Sequence, residues 1–208
     1  MMLRRVQRGL EELYRIESTP EVGDFLITDE LREQLGITRR PREQLLLHED
    51  EGELTVGLFI DDGALSNLAA NDPTERLHDG NLQDFLLVVE GVSHFVYLTW
   101  RAQADRAVSA LELELQAEID KYVTCLLGCE SLDLSSSLRH RLFERFEFHD
   151  DLDGEELDRY RVANRMAHRY TSKLERLAAE RRIGELLHEL RRFYRQPLGG
   201  KLALAKSH

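Results

Sequence analysis

The chain has 208 residues, 42% of them hydrophobic and 32% charged, which is enough apolar material for a sizeable core and too much for intrinsic disorder. Its formal net charge of -11, from 39 acidic and 28 basic side chains, disfavours nucleic acid as a partner except at a local basic patch. The two cysteines, Cys125 and Cys129, do not make a disulfide framework. There is no secretory pattern, and the longest apolar run, Phe85 to Trp100, is interrupted by Glu90, Ser93 and His94, so no membrane span is expected and the cytoplasm is the default location.

In chain order, Leu3, Val6, Leu10 and Leu13 have helical spacing, and Thr19-Pro20 stops that helix. Asp29 to Leu35 reads as a short second helix closed by Gly36. Two apolar, strand-length runs within 44–60, separated by the polar turn around Gly52, predict a β-hairpin, and Phe25 to Thr28 is a candidate third strand. Nothing alternates in the βαβ manner that a large parallel sheet requires.

From Ala64 onward the pattern is helical. Leu82 to Trp100 carries Leu82, Phe85, Val89, Val92 and Val96 on one stripe, with Asn81 as its expected cap. The valines also allow a hairpin turning at Glu90-Gly91, so both readings stand at this point. Ala107 to Leu127 is a helix with an apolar face of Leu111, Leu115, Tyr122 and Leu126, and Ser135 to Phe146 is another, capped near Asp133. Asp153-Gly-Glu-Glu156 has the residues of a capping box and opens a long helix to about Leu177, with an inner stripe from Leu157 through Tyr170 to Leu177. A last helix, from about Ile183 to Tyr194, is expected to end at Pro197-Leu-Gly-Gly200 and leave a loose tail over 201–208.

The expected architecture is therefore α+β and predominantly helical. A small N-terminal element (1–63) carries the hairpin and packs on a multi-helix body (64–200), the two forming one continuous domain.

One constellation carries candidate chemistry. If 82–103 and 107–127 are antiparallel helical neighbours, Glu90 is level with Glu118 and His94 with Glu114, and each helix offers an i,i+4 pair. Glu90, His94, Glu114 and Glu118 could then bind a divalent transition metal. The azimuths argue against a single site: Glu118 points with Leu111 and Leu115, whereas Glu90 and His94 lie nearly opposite the valine stripe and could face another neighbour. The plainer expectation is that Glu90 and His94 bond each other or an arginine, with Glu112 and Glu114 in solvent. The spacing matches neither Glu-x-x-His nor His-Glu-x-x-His.

Arg161, Arg165, Arg169 and Lys173 recur every four residues and form a basic ridge, with Arg176 and His168 nearby. It reads first as the solvated face of an amphipathic helix, and otherwise as a site for anions or an acidic partner, including a second copy. Cys125 and Cys129 are expected to be buried thiols. Asp150 to Gly154 fails as a calcium loop, and phosphate-binding glycine motifs are absent from the sequence. These observations favour an accessory, regulatory or scaffold protein acting through protein–protein contacts or homo-oligomerisation. The alternative is a metal-dependent enzyme, a hydrolase, using the Glu/His set.

Overall fold

The computed structural model describes residues 1–17, 20–51, 53–128, 135–144 and 154–207. The hairpin turn at Gly52, the thiol of Cys129, the caps at Asp133 and Asp153 and the acidic stretch from Asp150 lie outside the described residues. The chain is α+β and predominantly helical, and it divides into two compact units: residues 1–12 with 16–105, and 13–15 with 106–208.

α1 (Met2–Tyr14), which belongs to the first unit up to Glu12, buries Leu3, Val6 and Leu10, as its spacing predicts. The side chain of Gln7 accepts a hydrogen bond from Val22 N at 2.8 Å and donates to Pro20 O at 3.1 Å, which holds the following segment against the helix. A single 3-10 turn covers Val22–Phe25, and α2 spans Asp29–Gln34. Gly36 follows at φ +70, the left-handed conformation that suits glycine just beyond a helix end.

β1 (Glu43–Asp50) and β2 (Glu53–Ile60) pair antiparallel, from Glu43 opposite Ile60 to Asp50 opposite Glu53. The candidate third strand is reduced to one parallel bridge, Leu26 to Leu58. In α3 (Asp62–Ala70) the cap is Asp61, whose carboxylate accepts from Ala64 N at 2.9 Å.

α4 (Asp79–Ala102) is one continuous helix of 24 residues, so the hairpin alternative at Gly91 does not form. Fifteen of its residues are buried, on all sides of the helix, and tertiary packing outweighs the strand preference of its valines. Its cap is His78 rather than Asn81. Asn81 is the third helical residue and closes the capping box: its side chain accepts from His78 N at 2.9 Å and donates to Arg76 O at 2.9 Å.

The second unit contains α5 (Ala110–Gly128), α6 (Ser135–Phe143), α7 (Gly154–Ala179), α8 (Ile183–Tyr194) and α9 (Leu198–Lys206). α7 is the hub, in contact with α5, α6, α8 and α9. It buries Ala163, Ala167, Tyr170, Leu174 and Leu177, most of the predicted stripe. Tyr170 donates to Glu189 O at 2.9 Å and its ring lies 4.2 Å from that of Phe193, which joins α7 to α8.

The expected loose tail is instead helical. Pro197 caps α9, and Lys201 and Ala205 are fully buried. Pro197-Leu-Gly-Gly200 thus starts a helix rather than simply ending one; proline pre-sets the backbone at a helix start as readily as it stops the preceding one.

Candidate functional site

Glu90 and His94, four residues apart, share a face of α4, and a carboxylate oxygen of Glu90 lies within 4.8 Å of a ring nitrogen of His94. His94 is 6% exposed. Opposite it stands a residue outside the sequence-based set: Glu43, the first residue of β1, whose Oε1 is 3.5 Å from His94 Nδ1. Glu43 and Ile60, paired across the hairpin, both press on α4 at Gly91. The face of α4 away from the valine stripe therefore does meet a separate neighbour, and that neighbour is the hairpin.

Glu114 and Glu118 lie on α5, in the second unit. Both are buried, as is Glu112, which overturns the expectation that Glu112 and Glu114 stand in solvent. Glu118 pairs with Lys121 at 2.6 Å, one turn along the same helix.

A buried polar chain in the second unit has no counterpart in any sequence motif. Lys201 of α9 donates to Gln116 Oε1, Gln116 donates to Asp120 at 2.8 Å, and the Tyr14 hydroxyl donates to the same Asp120 oxygen. The Lys201 ammonium sits 4.8 Å from the Phe193 ring centroid, and Tyr14 stacks on Tyr194 at 3.9 Å. Burial, followed by the charge of Asp120, holds the Tyr14 hydroxyl well above its ordinary pKa. Arg191 and Arg195 of α8 donate to Leu13 O and Tyr14 O, both at 2.8 Å, and so satisfy carbonyls at the end of α1. Cys125 is buried, as expected.

On α7, Arg161, Arg165, Arg169 and Arg176 are exposed. Arg161 lies 3.7 Å from Asp158, whereas Arg165, Arg169 and Arg176 make no ion pair among the described residues. Lys173 departs from the ridge: it is half-buried and pairs with Glu189 at 2.8 Å. His168 lies 3.5 Å from Glu144, and burial and the nearby Arg139 lower its pKa.

Charge is strongly segregated. The first unit has 9 basic and 21 acidic side chains, a formal -12, and the second has 19 and 18, a formal +1. Residues 154–208 alone carry 13 basic and 7 acidic side chains.

No helix among the described residues is long and apolar enough to cross a membrane. Compared with known proteins, the chain matches no family model, no curated sequence and no solved structure.

Proposed function

We propose that this chain is a metal-binding protein whose first unit takes up a divalent transition-metal ion at Glu90 and His94. The observation that carries the reading is the convergence of a buried imidazole and a half-buried carboxylate on one helix face, four residues apart and within 4.8 Å of each other. A mixed nitrogen and oxygen donor set suits zinc and its first-row neighbours better than magnesium or calcium, which prefer oxygen alone.

With His94 at 6% exposure, the reading favours a structural or regulatory ion over a hydrolytic centre. A catalytic ion needs a position open to water and substrate. Elemental analysis and titration of the chelated protein with Zn²⁺ test the reading. One ion per chain in the wild type, lost in His94→Ala and weakened in Glu90→Gln, supports it. A wild type that takes up no ion refutes it.

A second reading, an accessory protein that docks an acidic protein surface or a second copy, is favoured by three arginines of α7 that make no ion pair among the described residues, in a chain of net charge -11. Sedimentation velocity at low and high salt tests the self-association form. Association that salt disperses and that Arg165→Glu/Arg169→Glu/Arg176→Glu abolishes supports it, and a monomer under all conditions refutes it.

A further inference from the structure

We propose that the acidic end of the β-hairpin docks on the arginine ridge of α7 in a second copy of this chain. The inference rests on the self-association reading given above and supplies the surface that the ridge meets.

The register of the hairpin divides its side chains between two faces. Leu45, Leu47 and Glu49 of β1 lie opposite Leu58, Val56 and Leu54 of β2 on one of them. At its base that face is covered: Leu58 is fully buried, and Glu43 and Ile60, the next pair along it, press on α4. Toward the other end the cover stops. Leu47 and Leu54 are 49% and 43% exposed, and Val56 beside them is half-buried. The three form a small apolar strip at the surface.

The charge around this strip is acidic. Glu49, Asp50, Glu51 and Glu53 are all exposed, and none makes an ion pair among the described residues. The outer edge of β1 pairs with no other strand among the described residues. Two such hairpins meeting edge to edge would bring like charges together, which opposes that pairing. The end of the hairpin therefore selects a basic occupant, one whose side chains also carry apolar length.

Arginine meets both demands. Its methylene stem covers apolar surface while its guanidinium reaches a carboxylate in a forked pair. Arg165, Arg169 and Arg176 lie within about 40° of one another around α7 and span about 16 Å along it. All three are exposed and outside the ion pairs of the described residues. From the Leu47–Val56 pair to the Asp50–Glu53 pair the hairpin extends about 10 Å, which falls within the length of the ridge. A net charge of -11 opposes any unspecific approach of two copies, so association depends on this local match of opposite signs. The contact joins unlike surfaces. It either occurs twice in a two-fold dimer or continues as an open chain of copies.

The test is sedimentation velocity of the full chain at low and high salt, with two charge-reversed variants. The hairpin variant is Glu49→Lys/Asp50→Lys/Glu53→Lys, and the ridge variant is Arg165→Glu/Arg169→Glu/Arg176→Glu. All six side chains are exposed, so both variants are expected to fold, which far-ultraviolet circular dichroism checks. The wild type should associate at low salt and lose about tenfold or more in affinity at high salt. Each variant alone places like charges in contact and should be monomeric. Their equimolar mixture again sets opposite charges against each other and should associate as the wild type does. The neutral variant Glu49→Gln/Asp50→Asn/Glu53→Gln keeps the shape of the hairpin and should weaken association by about tenfold or more, which tests the same surface even if the lysines disturb it.

A hairpin variant and a neutral variant that both associate like the wild type, while the ridge variant does not, overturn the hairpin as the partner surface and leave self-association through α7 intact. A mixture as monomeric as its separate parts overturns the pairing of the two surfaces. A wild type that stays monomeric at every salt concentration overturns both this inference and the self-association reading.

Discussion

Replacing Tyr14 with phenylalanine tests the buried polar chain of the second unit at a single atom. The Asp120 carboxylate is 1% exposed and accepts hydrogen bonds from Tyr14 and, at 2.8 Å, from Gln116. Phenylalanine keeps the ring stacked on Tyr194 and removes only the hydroxyl, which donates to Asp120 and accepts from Gln116 at 3.3 Å. A hydrogen bond to a charged acceptor contributes about 1.5–3 kcal/mol, and its loss leaves part of the carboxylate desolvated. The expected destabilisation is about 2 kcal/mol at pH 7, which for a chain of this size lowers Tm by roughly 4–8 °C.

The effect has a definite pH dependence. The hydroxyl's pKa is raised in the folded protein, chiefly by burial and then by Asp120. Its protonated form is therefore the one that folding favours. The contribution is complete below the unfolded pKa of about 10 and is lost as pH rises from there toward the folded value. Urea unfolding followed by far-ultraviolet circular dichroism, at pH 7 and in steps above pH 10, should show a gap between wild type and Tyr14→Phe that narrows only in the alkaline range. A gap under about 0.5 kcal/mol at pH 7 would refute the claim that Tyr14 satisfies Asp120.

Lys201→Ala removes the donor to Gln116 and empties a fully buried slot against Phe193, so a loss of about 3 kcal/mol or more is expected, with faster proteolysis within 196–206; wild-type resistance there would contradict the anchored α9. Arg32, 1% exposed, donates to Asp29, Pro41 O and Gln44 while its guanidinium lies 3.3 Å from the Phe59 ring centroid. Lysine cannot reproduce that flat, forked geometry, and Arg32→Lys should cost about 1–3 kcal/mol in denaturant unfolding. Asp61→Ala removes the cap of α3 and should cost about 1 kcal/mol at neutral pH. The bond from Arg42 lowers the pKa of Asp61, so its contribution is present above the unfolded value of about 3.9 and disappears as pH falls through the lower folded value. Melting curves of the two proteins should therefore converge in strong acid.

Local patterning determined most of the secondary structure. The spacing of Leu3, Val6 and Leu10, the two runs of the hairpin, and the stripe from Ala163 to Leu177 each identify an element whose buried face is written in its own residues. Where local signals conflicted, tertiary structure decided. The valines of α4 are compatible with a strand, and burial on all sides makes the segment one helix. Pro197 and Gly200 can end a helix or begin one, and the slot that accepts Lys201 selects the second.

The candidate site divides the same way. Glu90 and His94 are legible because i,i+4 spacing is a property of a single helix. Glu43 is 51 residues from His94 along the chain, and the one mark of their approach in the sequence is the glycine at 91, which by itself does not name the residue that packs against it. Tyr14, Gln116, Asp120 and Lys201 come from three helices widely separated in sequence, and no spacing rule links them. Contacts within an element follow from its repeat. Contacts between elements depend on how the chain folds back on itself, and a periodicity carries no record of that.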